Sequence, residues 1–214
     1  MPVVGKALFA LVACIILTTV FSSIAGFFMA KYKMHPFIST MANMLIIFGL
    51  VTYATKGVSF GAIDSAIPNM FIPTIGNFPT IIIWAVVAIV VVWFIWNKTT
   101  FGKNLYAVGG NPEAAAVSGI SVFAVTLGAF VMAGILYGFG SWLECARMVG
   151  SGSAAYGQGW DMDAIAACVV GGVSFTGGIG KISGVVTGVC IFTALTYSLT
   201  TVSYTHLRAH ETRH

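Results

Sequence analysis

The chain has 214 residues, of which 58% are hydrophobic and only 7% charged, with a formal net charge of +4. Soluble domains carry about 25% charged and roughly 45–50% apolar residues, so one soluble core cannot hide this much apolar surface and lipid is the expected solvent. The lysines sit between apolar runs rather than in a basic block, which argues against a nucleic-acid-binding face.

Crossing the hydrocarbon core takes about 20 predominantly apolar residues. Residues 3–29 meet that requirement and stop at Lys31 and Lys33. Lys6 before the run at 7–30 resembles a signal peptide, but the run exceeds the roughly 7–15 residues of such a core and ends in "KYK" instead of a small-residue cleavage site. Pro36 suits the first position of a helix, and 37–54 is the second predicted span. The stretch 56–79 is rich in Pro and Gly and reads as a loop with a short interfacial piece. Residues 80–96, "TIIIWAVVAIVVVWFIW", form the clearest span, with Trp93 and Trp96 placed for the membrane–water interface.

Residues 97–121, "NKTTFGKNLYAVGGNPEAAAVSGIS", are the most polar interior stretch. Within it the pattern predicts a turn at Gly109–Gly110, Asn111 as N-cap, Pro112 at the first helical position, Glu113 in the first turn and Gly119 as terminator. Such a compact helix could transmit force or merely connect its neighbours. Residues 122–143 are a fourth span and 144–159 a second polar loop. Residues 161–173 form a helix too short to cross without tilt or a re-entrant path; "GGVSFTGGIGK" then breaks the chain, and 182–202 is the last span. The fold class expected is therefore all-α, a polytopic transmembrane bundle with about five or six spanning or re-entrant helices.

Lysines accumulate on the cytoplasmic side. The pairs Lys31/Lys33 and Lys98/Lys103 therefore place the first turn and the 97–121 loop inside, and the Pro-rich 56–79 loop outside. Lys181 also falls inside if the short helix returns across the membrane.

Groups able to carry chemistry are scarce. The four cysteines, Cys14, Cys145, Cys168 and Cys190, lie in or beside apolar stretches without C-x-x-C spacing, as packing residues do. The nine methionines are scattered the same way. No acidic residue falls mid-span, where each would cost about 2.5–3.5 kcal/mol on insertion scales; this argues against a proton-driven carrier. Asp161 and Asp163 open the short helix as charge-complementing residues, Glu144 and Arg147 are spaced to pair, and His35 has no histidine partner nearby. Gly180-Lys181 is followed by Ile182, and Phe175 stands where a P-loop needs glycine, so this chain is not expected to bind ATP itself. Gly134/Gly138 and Gly180/Gly184/Gly188 recur every four residues, a spacing that lets helix backbones approach closely in lipid. With Gly171, Gly172, Gly177 and Gly178, they are the candidates for helix packing or for a broken segment lining a translocation path.

Glu113-Ala114-Ala115 followed by Gly119 resembles the E-A-A-x-x-x-G signature of ABC importer permeases. "TTFGKNLYAVGGNPEAAAVSGISV" and "DMDAIAACVVGGVSFTGGIGKISGVVTGV" are similar to two blocks of the simple-sugar (ribose, xylose, galactoside) permeases, with the galactoside branch nearest. The resemblance runs to about Leu199. It implies a non-enzymatic subunit in a bacterial inner membrane, moving galactose, methyl galactoside or a related monosaccharide by alternating access. Its implied partners are a second permease copy, a separate ATP-binding subunit carrying ATP and Mg, and a periplasmic sugar-binding protein; no cofactor is expected on this chain. Glu113, Ala114, Ala115, Gly119 and Ile120 would form the helix that docks on the ATPase, with Gly109, Gly110 and Asn111 leading into it. Family members look like ten-helix chains, so about three spans would be missing in front and one behind, with residues 1–202 a permease fragment. An ATP-independent carrier or channel is the alternative.

The last five residues, His210 to His214, fit H-E-x-x-H, the pattern of a zinc protease. His206, His210 and His214 share a helix face, but a zincin needs a third ligand placed by a folded domain. "VSYTHLRAHETRH" also resembles translated adapter sequence, so residues 203–214 are expected to be a non-native tail.

Overall fold

A computed structural model of the chain describes the backbone of residues 3–59, 73–75, 78–148 and 152–211, and the side chains of 4–59, 73, 79–148 and 152–202. Eight helices occur among the described residues: α1 (Val3–Tyr32), α2 (Pro36–Thr55), α3 (Ile81–Lys98), α4 (Thr100–Gly110), α5 (Pro112–Val117), α6 (Val122–Arg147), α7 (Trp160–Val170) and α8 (Ile182–Glu211). Ahead of α3, two-residue strands β1 (Thr74–Ile75) and β2 (Phe78–Pro79) pair antiparallel, Thr74 opposite Pro79. This small hairpin replaces part of the expected loop and leaves the helical class unchanged. Five helices are long and apolar enough to cross a membrane: α1, α2, α3, α6 and the 182–202 part of α8. The described residues fall into two compact units, one up to residue 108 together with 112–156, the other residues 109–111 with those from 157 onward.

In the first unit, α1 packs along α6. Lipid chains are as apolar as leucine, so burial does not draw these helices together and close backbone approach must do it. Glycine makes the approach possible. A Cβ on Gly134 would lie 2.6 Å from Thr19 Cα, and one on Gly26 2.5 Å from Phe130 Cβ. Gly138 is held equally close to Ile15. At this distance side-chain hydroxyls of α1 reach the backbone of α6: Thr18 Oγ1 donates to the Gly134 carbonyl at 2.8 Å, and Ser22 Oγ to that of Phe130 at 2.7 Å. Interhelical hydrogen bonds of this kind are worth about 0.6 kcal/mol each in a membrane. Trp142 of α6 is buried against Ala7 and Leu143, with Leu11, Trp84 and Phe139 around them, and its indole N–H donates to the Ala7 carbonyl at 3.2 Å.

α3 has no buried residue. A helix apolar on every side and covered by protein only around Trp84 suits lipid contact, and Lys98 at its end lies 5.8 Å from the Trp93 ring centroid. At the C-terminal end of α6, Glu144 and Arg147 pair as their spacing implied, with Arg147 Nε 3.0 Å from Glu144 Oε2. The helix therefore runs four residues beyond its expected end at 143. The Tyr156 hydroxyl also donates to Glu144 Oε1 at 2.6 Å, and that hydrogen bond holds the Tyr156 phenol above its ordinary pKa.

In the second unit, α7 packs on α8. Its 11 residues span about 16 Å, half the roughly 30 Å hydrocarbon core, so it is too short to cross alone. Its end is a Schellman turn: Val173 N–H bonds the Cys168 carbonyl and Gly172 N–H that of Val169, with Gly172 at φ +81°. Gly171, Gly184 and Gly188 close the α7–α8 contact, and a Cβ on Gly188 would fall 2.6 Å from Gly171 N. Gly180 does not share their face. It precedes Ile182, the first residue of α8, and packs near Val173. The four-residue spacing extended the helix one turn too far back.

Gly138→Leu should destabilise the detergent-solubilised chain by about 1–3 kcal/mol, the usual effect of overpacking. Gly140→Leu on the same helix, where a Cβ meets nothing within 4 Å, should not. Thermal denaturation of the two variants separates close approach from helix propensity, since both gain the same side chain.

Candidate functional site

The polar stretch 97–121 is not one loop but two helices. Thr99 has extended backbone (φ −108°, ψ 157°) and acts as the N-cap of α4, its Oγ1 accepting from Gly102 N at 3.3 Å while donating to the Ile95 carbonyl. Gly102 permits the sharp α3–α4 turn: a Cβ there would run into the Trp96 carbonyl group. The Phe101 ring lies against Gly128 of α6, where a Cβ would come within 2.8 Å of it. These contacts hold helical a segment whose glycines and polar residues read as loop. Gly109 and Gly110, expected in a free turn, are instead the last two residues of α4.

α5 follows after Asn111, with Pro112 first and Glu113 in the opening turn, as the residue order predicted. Its end is a complete Schellman motif. Gly119 N–H bonds the Ala116 carbonyl at 3.0 Å, Ile120 N–H bonds that of Ala115 at 3.0 Å, and Gly119 sits at φ +82°. Ser121 then caps α6, accepting from Ala124 N at 3.3 Å. Only Ala115 of α5 is buried. Glu113, Ala114 and Ala116 are exposed, and Val117 is 92% exposed. Glu113 and Val117, four apart, share a face, so α5 is a short, capped helix presenting an acid and a bare apolar side chain.

Gly109 and Gly110 contact Gly177 and Gly178, in the break between α7 and α8. Of the glycines expected in packing or a path, Gly171, Gly184 and Gly188 serve the α7–α8 contact and Gly177 and Gly178 this one. Sequence reasoning missed α4, Gly102 and the Phe101–Gly128 contact; Thr99 ahead of "FGKNLYAV" was the available capping signal. The H-E-x-x-H candidate lies beyond the described side chains, and residues 212–214 lie outside the described residues altogether. Among the described residues no three His, Cys, Asp or Glu side chains form a metal-ligand group.

Apolar helices of spanning length, a capped surface helix between two of them and a glycine-packed broken segment define a polytopic helical membrane protein. Residues 3–211 match the family described as the permease component of branched-chain amino acid transport systems, and the chain belongs to that family. It is 50% identical over 208 residues to the galactose/methyl galactoside import permease protein MglC of Treponema pallidum (strain Nichols), covering 93% of this chain and 39% of that protein. It is 44% identical over 202 residues to MglC of Escherichia coli (strain K12), covering 91% of this chain and 59% of the relative. The ribose import permease protein RbsC of Bacillus subtilis (strain 168) is 35% identical over 179 residues, 81% of this chain and 54% of that one. The chain thus spans about two fifths to three fifths of the length of these relatives. No solved structure matches it.

Replacing Gly119 by Val forces a β-branched residue into the left-handed region, at a cost of about 1–2 kcal/mol. Amide hydrogen exchange at 118–120 should accelerate roughly 5- to 30-fold, while amides of α1 keep their protection.

Proposed function

We propose that this chain is the permease subunit, or a part of it, of an ATP-driven importer for galactose, methyl galactoside or a related monosaccharide. Segment 109–120 is the element that docks a separate ATPase subunit at the cytoplasmic face. The observation that carries this reading is α5 itself, a six-residue helix capped at its C-terminal end, anchored by Ala115, with Glu113 and Val117 uncovered. A mere connection between spans needs no such face. The sugar assignment rests on the MglC and RbsC relatives.

The partners implied are a second permease copy, the ATPase carrying ATP and Mg, and a periplasmic sugar-binding protein, in a bacterial inner membrane. ATP binding and hydrolysis on the partner would displace α5 and its flanking glycines. The adjoining helices would then alternate a path between the two permease copies, in a direction set by the external binding protein.

The test is co-purification of the ATPase subunit with the permease. Glu113→Trp should abolish or strongly weaken the association, because a bulky group replaces a carboxylate on the exposed face. Tyr53→Trp, at a residue 87% exposed on α2, should leave it intact. Undiminished docking with Glu113→Trp would contradict the assignment. Sugar flux without an ATPase would favour an ATP-independent carrier.

A further inference from the structure

The contact between the end of α4 and the α7–α8 break is made of backbone alone. A Cβ on Gly109 would lie 2.6 Å from Gly178 N; one on Gly177 would lie 2.8 Å from the Gly109 carbonyl oxygen; one on Gly178 would lie 2.6 Å from Gly110 Cα. The approach is reciprocal and leaves no room for a methyl group on three of the four residues. Gly110 is the exception, since a Cβ there meets nothing within 4 Å. The partner turn is closed on itself. Ser174 N–H bonds the Ile179 carbonyl at 2.9 Å, Ser174 and Thr176 share a hydroxyl hydrogen bond of 2.8 Å, and Gly177 and Gly178 take φ +95° and +72°.

We propose that these glycines form a clasp that couples segment 109–120 to α8, so that displacement of the docking helix is delivered to the α7–α8 pair. The inference rests on the reading of that segment as the ATPase-docking element. Between side chains, rotamer changes can absorb a shift of an ångström; two backbones in van der Waals contact have no such slack. The closed 174–179 turn leads through Gly180 and Lys181 directly into α8, and α8 is tied to α7 by the equally close contacts of Gly171 with Gly184 and Gly188. A push on Gly109 therefore moves the turn and the two helices behind it as one piece. Gly109, Gly177 and Gly178 act here as positioning residues, through the backbone contact alone.

The test uses the importer reconstituted in proteoliposomes with its ATPase and binding protein, with ATP hydrolysis and galactose uptake measured separately. Gly109→Ala should lower the galactose moved per ATP by about fivefold or more, the lower range of coupling energies between sites, while the ATPase still co-purifies. Gly140→Ala on α6, outside the docking segment and with nothing within 4 Å of a Cβ, should keep the wild-type ratio. Equal ratios for the two variants would overturn the clasp. Should Gly109→Ala fail to assemble, spin labels at Gly110→Cys and Phe175→Cys decide, with the four native cysteines replaced. Their separation should stay the same with and without ATP, and a nucleotide-dependent change would overturn the proposal. Absence of ATP-dependent uptake by the wild type would contradict the permease reading instead.

Discussion

Close approach of helix backbones is the constraint on which this structure depends. In water an amphipathic helix is driven onto its neighbour by burial, but in lipid that drive is missing and contact must come from packing and hydrogen bonds. Both units solve the problem with glycine. Gly26, Gly134 and Gly138 bring α1 and α6 close enough for Thr18 and Ser22 to bond the facing backbone. Gly171, Gly184 and Gly188 bring α7 and α8 equally close. Among the described residues most large apolar side chains are exposed, as lipid contact or further protein contact requires.

Docking and packing meet at residues 109–120. The helix α5 is fixed by the Schellman turn at its C-terminal end and by a buried alanine, so its exposed face has a defined position relative to α6. Immediately before it, Gly109 and Gly110 rest on Gly177 and Gly178. In the account proposed here, one short stretch receives a force from the partner ATPase and passes it to the broken segment.

The spans were legible because hydrophobic run length is a strong signal, and each lies within a few residues of its expected bounds. α6 overruns to Arg147 because Glu144 and Arg147 pair across one turn, which run length does not register. α5 was legible to the residue at its start, since Asn111-Pro112-Glu113 is a helix-opening order and Gly119 a closing one. α4 was not legible: "NLYAVGG" carries mostly poor helix formers, and the segment is held by the contact of Phe101 with Gly128 of α6, which a local pattern does not contain. Gly180 was misplaced for the converse reason, a real four-residue spacing continuing past a helix that had not begun. The glycine clasp joins segments far apart in sequence, and only the fold reveals it.

The most direct test of the central claim is photocrosslinking from Val117, the most exposed apolar side chain of α5. A benzoylphenylalanine placed there in membranes containing the assembled importer should yield an adduct with the ATPase subunit. No adduct with that subunit, in membranes where the two proteins co-purify, would contradict the assignment of α5 as its docking helix.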